Sequence, residues 1–196
     1  MELDDTSLDL IRMDKKHQMK SMTRILCNFI LRLLGASGFV HDSFGCNVLM
    51  KQFVIQKIFR INASTPWPVH FTSTVIAPEL IQKGSRFPGL GPGCYLDGRN
   101  GISFGKNIWM GPKVNIISMN HDNLDFSKYI EGVSIELGDD CWIGAQATIL
   151  PEVKLGNNTI VAAGAVVTKS FPEGHQIIGG NPARVIKSLL AAKTIQ

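Results

Sequence analysis

Residues 136–171 read ELGDDC WIGAQA TILPEV KLGNNT IVAAGA VVTKSF when cut into sixes. The second residue of each six is apolar: Leu137, Ile143, Ile149, Leu155, Val161 and Val167. The third is small in most rows (Gly138, Gly144, Gly156, Ala162), and the sixth is small or branched (Cys141, Ala147, Val153, Thr159, Ala165). The same beat runs upstream through SFGKNI, WMGPKV and NIISMN, residues 103–120, where Phe104, Met110 and Ile116 hold the second place. There Gly105 and Gly111 follow them, and Ile108 and Val114 fill the sixth. All nine second places are apolar in a chain that is 44% apolar, so the spacing is a repeat and not an accident.

A period of six fits neither the 3.6 of an amphipathic helix nor the plain alternation of a strand. It suits a strand of a few residues followed by a corner. One apolar residue points inward, a small residue permits the bend, and Gly-Lys-Asn, Gly-Asp-Asp and Gly-Asn-Asn supply turn chemistry. Three such strands close a triangular coil, and stacked coils pair their backbones above and below. Such units need neighbours and caps. The repeat therefore predicts an all-β parallel β-helix over residues 67–187, preceded by a helical or extended segment, 1–66, and followed by a short C-terminal helix or tail, 188–196.

The chain has 196 residues, enough to bury a core as one domain. Its 20 Lys and Arg against 16 Asp and Glu are spread along the sequence, which argues against a nucleic-acid-binding face. Four cysteines, Cys27, Cys46, Cys94 and Cys141, show no CxxC pair and no histidine at metal-ligand spacing, so no metal site is expected. The opening MELDDTSLDL lacks the order of a signal peptide, and no apolar run reaches the roughly 20 residues of a membrane span. A cytoplasmic protein is expected.

Residues 18–34 read as an amphipathic helix, with Met19, Met22, Ile25, Leu26, Phe29, Ile30, Leu33 and Leu34 on one face. Lys20, Arg24, Asn28 and Arg32 line the other face, and Gly35 suits the C-terminal cap. Packing against the β-helix or a neighbouring subunit is the favoured reading, and weak association with a membrane surface is the alternative. At the other end, IKSLLAAK reads as a short closing helix.

The beat falls at 104, 110 and 116, should fall next at 122, and instead resumes at 137. That gap is not a multiple of six; three, nine or fifteen residues have been inserted. Fifteen would mean an extruded loop over about 118–132, and the polar NHDNLDFSKYIEG fits that reading. A loop of this length is uncommon unless functional. His121 stands at its base, beside Asn120 and Asp122.

The repeat resembles that of the hexapeptide-repeat family, left-handed parallel β-helices that are mostly acyltransferases. The likeness covers residues 94–187 and continues in looser register over 69–93. DDCWIGAQATILPEVKLGNNTIVAAGAVVTKSFPEGHQIIGGNPARVIK is similar to the sugar O-acetyltransferase branch. The left hand of the coil is implied by the resemblance alone, since generic rules favour right-handed crossovers. The resemblance implies acetyl-CoA as donor, a homotrimer with sites between subunits, and His121 as general base in the loop. An imidazole, with an ordinary pKa of about 6.5, suits the removal of a hydroxyl proton and its return to the leaving thiolate. A carboxylate would orient the ring, with Asp122, Asp125 and Glu136 as candidates.

Carried over by motif, Ala145 and Ala163 would meet the pantetheine arm, Thr168 and Lys169 would lie near its far end, and Trp142 would flank the thioester. Arg184 and Lys187 would face the phosphates, where a guanidinium fork and an ammonium suit an anion. On the acceptor side the candidates are Asp97, Asn100, Asn120 and Trp142, although GCYLDGRNG departs from the family pattern there. The expected reaction is acetyl transfer to a sugar hydroxyl on a small-molecule or glycan acceptor, such as a capsule or lipopolysaccharide precursor, at a site cytoplasmic or peripheral to the inner membrane. The alternatives are N-acetylation of an amino-sugar or antibiotic, a γ-type carbonic anhydrase, which would need three converging histidines, and a non-catalytic scaffold.

Overall fold

The structure, a computed structural model, describes residues 22–41 and 44–190. They fall into two compact units that divide between Arg60 and Ile61.

The second unit is a parallel β-solenoid with three faces. The first face stacks β1 (Thr74–Ile76), β3 (Tyr95–Asp97), β6 (Asn115–Ile117), β11 (Thr148–Ile149) and β14 (Val166–Val167). The second stacks β2 (Ile81–Gln82), β4 (Ile102–Phe104), β9 (Ile135–Leu137) and β12 (Lys154–Leu155). The third stacks β5 (Trp109–Met110), β10 (Trp142–Ile143), β13 (Thr159–Val161) and β15 (Gln176–Gly180). Between β6 and β9 a hairpin of β7 (Asn120–His121) and β8 (Tyr129–Ile130) leaves the stack.

The six-residue beat acquires a physical meaning position by position. Second-place residues form the inward ladder: Ile116, Ile143, Ile149, Val161 and Val167 are fully buried. Truncating one of these isoleucines to alanine costs about 2–5 kcal/mol. Third-place glycines lie where successive corners touch. A Cβ at Gly144 would stand 2.5 Å from the Ala163 nitrogen, and one at Gly111 would stand 2.6 Å from that of Ala145.

Fifth-place residues turn the corner in the left-handed region: Asn107, Lys113, Asp140, Gln146, Glu152 and Asn158 have φ between 54° and 65°. That conformation costs a residue with a Cβ about 1–2 kcal/mol. It is offset because it aims the amide at the neighbouring coil. Asp140 N–H donates to the Lys106 carbonyl at 2.9 Å and Asn158 N–H to that of Asp139 at 2.8 Å.

Regular coils are three sixes long, as in Ile149 opposite Val167 and Leu137 opposite Leu155. Across the break the pairs are Ile116 with Ile149 and Phe104 with Leu137, more widely separated in sequence. The excess over three sixes is fifteen, so of the three insertion lengths the sequence allows, the largest is the one built.

The C-terminal end differs from expectation. After β15 the chain turns at Asn181–Pro182 and returns as β16 (Ala183–Ser188), antiparallel to β15. Ile186, Lys187 and Ser188, expected to open a helix, are therefore strand. The free edge of β15 offers them ladder hydrogen bonds, and that outweighs helical composition. Residues 191–193 of the expected helix lie outside the described residues.

In the first unit residues 22–33 form α1, and residues 18–21 of the expected helix lie outside the described residues. α1 ends as expected at Gly35, φ 71°. Gly35 N–H donates to the Arg32 carbonyl at 3.0 Å and Ala36 N–H to that of Leu31 at 2.8 Å, a Schellman closure. A second helix, α2 (Cys46–Phe53), follows, extended by a wider turn over Val54–Ile58. The buried residues here include Cys27, Leu31, Phe39 and Leu49, with the Phe39 and Phe53 rings edge to face at 5.8 Å. The apolar stripe Met22, Ile25, Leu26, Phe29, Ile30, Leu33 and Leu34 is exposed in the single chain, with Leu33 at 73%. Cys27 and Leu31 lie on the side of α1 that is covered.

Candidate active site

His121 is carried on the hairpin that the inserted residues build. β7 and β8 pair with His121 opposite Tyr129, so the two side chains share a face. Their ring centroids lie 4.6 Å apart, tilted by 42°. His121 Nδ1 lies 2.6 Å from the Phe126 carbonyl oxygen. A carbonyl only accepts, so Nδ1 carries the proton and donates. In the neutral ring Nε2 then holds the free lone pair. This is the tautomer a general base needs, fixed by backbone.

None of the three carboxylates considered for orienting the ring is placed to do so. Asp122 Oδ1 accepts from the N–H of Leu124 at 2.7 Å and of Asp125 at 3.1 Å. Asp125 accepts from Ser127 Oγ at 2.6 Å and pairs with Lys128 at 3.2 Å, and these contacts hold its carboxyl below the usual range. Glu136 pairs with Lys154 at 2.8 Å on the outer face of the second sheet. The two aspartates shape the turn that brings the Phe126 carbonyl to His121, and the Phe126 carbonyl takes the orienting role expected of a carboxylate.

Beneath the hairpin, the corner after β3 grips its foot. Asp97 is buried, and its carboxylate accepts from Arg99 Nε at 2.9 Å and Nη2 at 2.6 Å. Asn100 Nδ2 donates to the carbonyls of Ser118 at 3.1 Å and Ile130 at 3.0 Å. The carboxylate of Asp97 and the amide N–H groups of Asn100, expected on the acceptor side, are thus committed to structure. A cleft of about 550 Å³ opens beside this foot, lined by Gln82, Arg99, Asn100, Ser103, Glu131 and Ser134 among others. His121 is not among its lining residues.

The expected donor-site residues lie elsewhere on the prism. Ala145 and Ala163 occupy the edge between the third and first faces, joined through Gly164 N–H to the Ala145 carbonyl at 2.8 Å. Trp142 is 55% exposed on the third face, in register with Trp109 one coil below. Arg184 and Lys187 are exposed on β16 beside that same face. Thr168 and Lys169 share the edge of the His121 loop, two coils along from β6, or roughly 10 Å at the usual strand spacing. Asn120 is exposed next to His121, opposite Ile130. One chain therefore gathers Asn120, His121 and Tyr129 on one edge and sets the alanines, Trp142, Arg184 and Lys187 on another edge and face. Arg99, Tyr129 and the Phe126 carbonyl had no signal in the repeat; the one sequence cue was Arg99 two places after Asp97.

Residues 134–169 match the family model described as bacterial transferase hexapeptide, six repeats. Galactoside O-acetyltransferase of Escherichia coli K12 is 30% identical over 91 residues, covering 45% of this chain and 44% of that protein. Chloramphenicol acetyltransferase of Klebsiella aerogenes is 41% identical over 51 residues, 26% of this chain and 24% of that one. Among solved structures, a maltose O-acetyltransferase from Clostridium difficile 630 is 34% identical, covers 49% of this chain and 52% of its own, and has a TM-score of 0.46. The chain spans about half or less of the length of the curated relatives it matches. Over residues 134–169 the solenoid is therefore similar to the bacterial hexapeptide transferases, and its register runs on through the flanking coils.

Proposed function

We propose that the protein transfers an acetyl group from acetyl-CoA to a sugar hydroxyl, with His121 as general base. The observation that carries this is the fixed tautomer: Nδ1 bonded to the Phe126 carbonyl at 2.6 Å leaves Nε2 to accept a proton. The acceptor hydroxyl gives its proton to Nε2 as its oxygen attacks the thioester carbonyl carbon. The tetrahedral intermediate collapses with loss of the C–S bond, and the proton on Nε2 passes to the thiolate of coenzyme A. No side-chain nucleophile is needed. The acetyltransferase names of the relatives support the reaction class.

The separation of His121 from Ala145, Ala163, Arg184 and Lys187 on different edges supports a site completed by a second copy, as in a homotrimer. There Ala145 and Ala163 line the pantetheine arm, with Trp142 against the thioester. Thr168 and Lys169 sit toward its far end, and Arg184 and Lys187 reach the phosphates. The acceptor class is tested directly: thiol release from acetyl-CoA is measured against a panel of neutral sugars, amino-sugars, lipid-linked sugars and chloramphenicol. Loss of a general base lowers the rate by about 10²–10⁴-fold, so His121→Ala should fall by that factor on the true acceptor. A variant within threefold of wild type removes the base from His121.

The exposed stripe of α1 supports a peripheral membrane association. Between Lys15 and Arg60 eight Lys and Arg stand against one carboxylate, Asp42, a balance that favours an anionic surface. No helix among the described residues is long and apolar enough to cross a membrane. Flotation with vesicles containing phosphatidylglycerol should drop when residues 18–34 are removed; equal flotation would sink the idea.

A further inference from the structure

We propose that Arg99 is a positioning residue for His121, acting through Tyr129; the catalytic half of this rests on His121 being the general base. The hairpin that carries His121 depends on outside anchorage. β7 and β8 pair over only two residues each, and both strands are exposed. A hairpin that short has no stability of its own in water. What holds it is the corner 97–100 of the coil beneath. There two adjacent residues, Arg99 and Asn100, engage two adjacent residues of β8, Tyr129 and Ile130.

The Arg99 contact is the one aimed at the imidazole. Asp97, 1% exposed, fixes the guanidinium through two parallel hydrogen bonds of 2.9 and 2.6 Å. The guanidinium carbon then lies 4.4 Å from the centroid of the Tyr129 ring, within the range of a cation–π contact. The Tyr129 ring in turn lies 4.6 Å from the His121 ring. A buried carboxylate, a guanidinium, a phenol and the imidazole thus form one continuous column. It gives His121 a wall on one side while the Phe126 carbonyl holds its Nδ1 edge. The corner is built for this: a Cβ at Gly98 would stand 2.5 Å from Ile81 Cγ1, so the chain turns tightly from Asp97 to Arg99.

Lysine cannot replace Arg99 here, because an ammonium has neither the fork that matches Asp97 nor the flat face that lies on Tyr129. Losing the column leaves the base in place but free to wander, and a displacement of about 1 Å can reduce a rate about 10²-fold. Arg99→Ala should therefore lower kcat about 10- to 100-fold while KM for acetyl-CoA stays within twofold. Arg99→Lys should not restore it. Tyr129→Phe, which keeps the ring, should lose less than Tyr129→Leu.

The second readout needs no activity. In protein carrying ¹⁵N-labelled histidine, above the imidazole titration range, wild type should show His121 as the Nδ1–H tautomer. Arg99→Ala should show a mixture of tautomers. An unchanged tautomer in Arg99→Ala overturns the positioning role, as does a kcat within twofold of wild type. So does a fall in kcat matched by an equal rise in KM. If His121→Ala proves fully active, the general-base reading fails by itself, and the tautomer still decides whether Arg99 orders the ring.

Discussion

Deleting residues 118–132 should leave the solenoid folded and remove the chemistry. Joining Ile117 to Val133 makes the coil read NIIVSI followed by ELGDDC, which restores the six-residue beat with Ile135 in the sixth place. The deletion removes three hydrogen bonds from Asn100, to Ser118 Oγ at 2.9 Å, the Ser118 carbonyl at 3.1 Å and the Ile130 carbonyl at 3.0 Å. At about 1 kcal/mol each that is a loss of about 3 kcal/mol. Against it, closing a loop of this length costs (3/2)RT ln n, about 2.4 kcal/mol, which the deletion relieves. The net loss is about 1 kcal/mol, a few degrees in Tm. Removing one residue more, 118–133, should behave differently. Coils longer than three sixes already exist, by three residues between Val75 and Leu96 and by two between Leu96 and Ile116. Extra residues can therefore bulge at a corner, but a coil one residue short has nothing to stretch. Urea unfolding followed by far-UV circular dichroism, with thiol release measured alongside, separates these outcomes. A cost above about 4 kcal/mol for the shorter deletion, the size of a severe core lesion, would refute the account. So would equal stability of the longer deletion.

Two further outcomes follow from the corners and the cysteines. Gly144→Ala places a methyl 2.5 Å from the Ala163 nitrogen and 2.8 Å from the Val161 oxygen, both backbone, whereas Gly164→Ala meets nothing within 4 Å but keeps φ at +69°. Overpacking costs about 1–3 kcal/mol and here also strains a ladder bond, against about 1–2 kcal/mol for a left-handed alanine. Denaturant midpoints should rank Gly144→Ala as the more destabilised, and the reverse order would contradict the steric account. Burial pushes the thiol pKa of Cys94 and Cys141 upward, and that of Cys27 up to about 12. At pH 8 these three stay protonated, so iodoacetamide should reach the half-buried Cys46 first. Mass mapping that finds Cys141 labelled as fast in native protein would overturn the protection by burial.

The solenoid was legible because its repeat is local: each six residues carry their own strand, corner and inward side chain. Eight of the nine second-place residues are buried, and Met110, on the edge strand β5 of its sheet, is half-buried. The insertion was legible as a fault in the count, and the pairing of Ile116 with Ile149 chose its length. The setting of His121 was not. The Phe126 carbonyl comes from backbone, which leaves no mark in residue types, and the Arg99–Tyr129 contact joins two distant points of the sequence through a corner and a hairpin that no periodicity encodes. Ile186 to Ser188 misled for a related reason, since their composition suits a helix and only the open edge of β15 makes them a strand.

That returning strand also bears on how long such a body can grow. A stack of parallel coils has no length of its own, because each coil offers the next the evenly spaced donors and acceptors it would offer a coil of another molecule. β16 runs the other way, with a register shift between Ile177 and Ile178. It occupies the edge of β15 that a further parallel coil of the third face would have paired with. On that face the molecule closes its own parallel ladder.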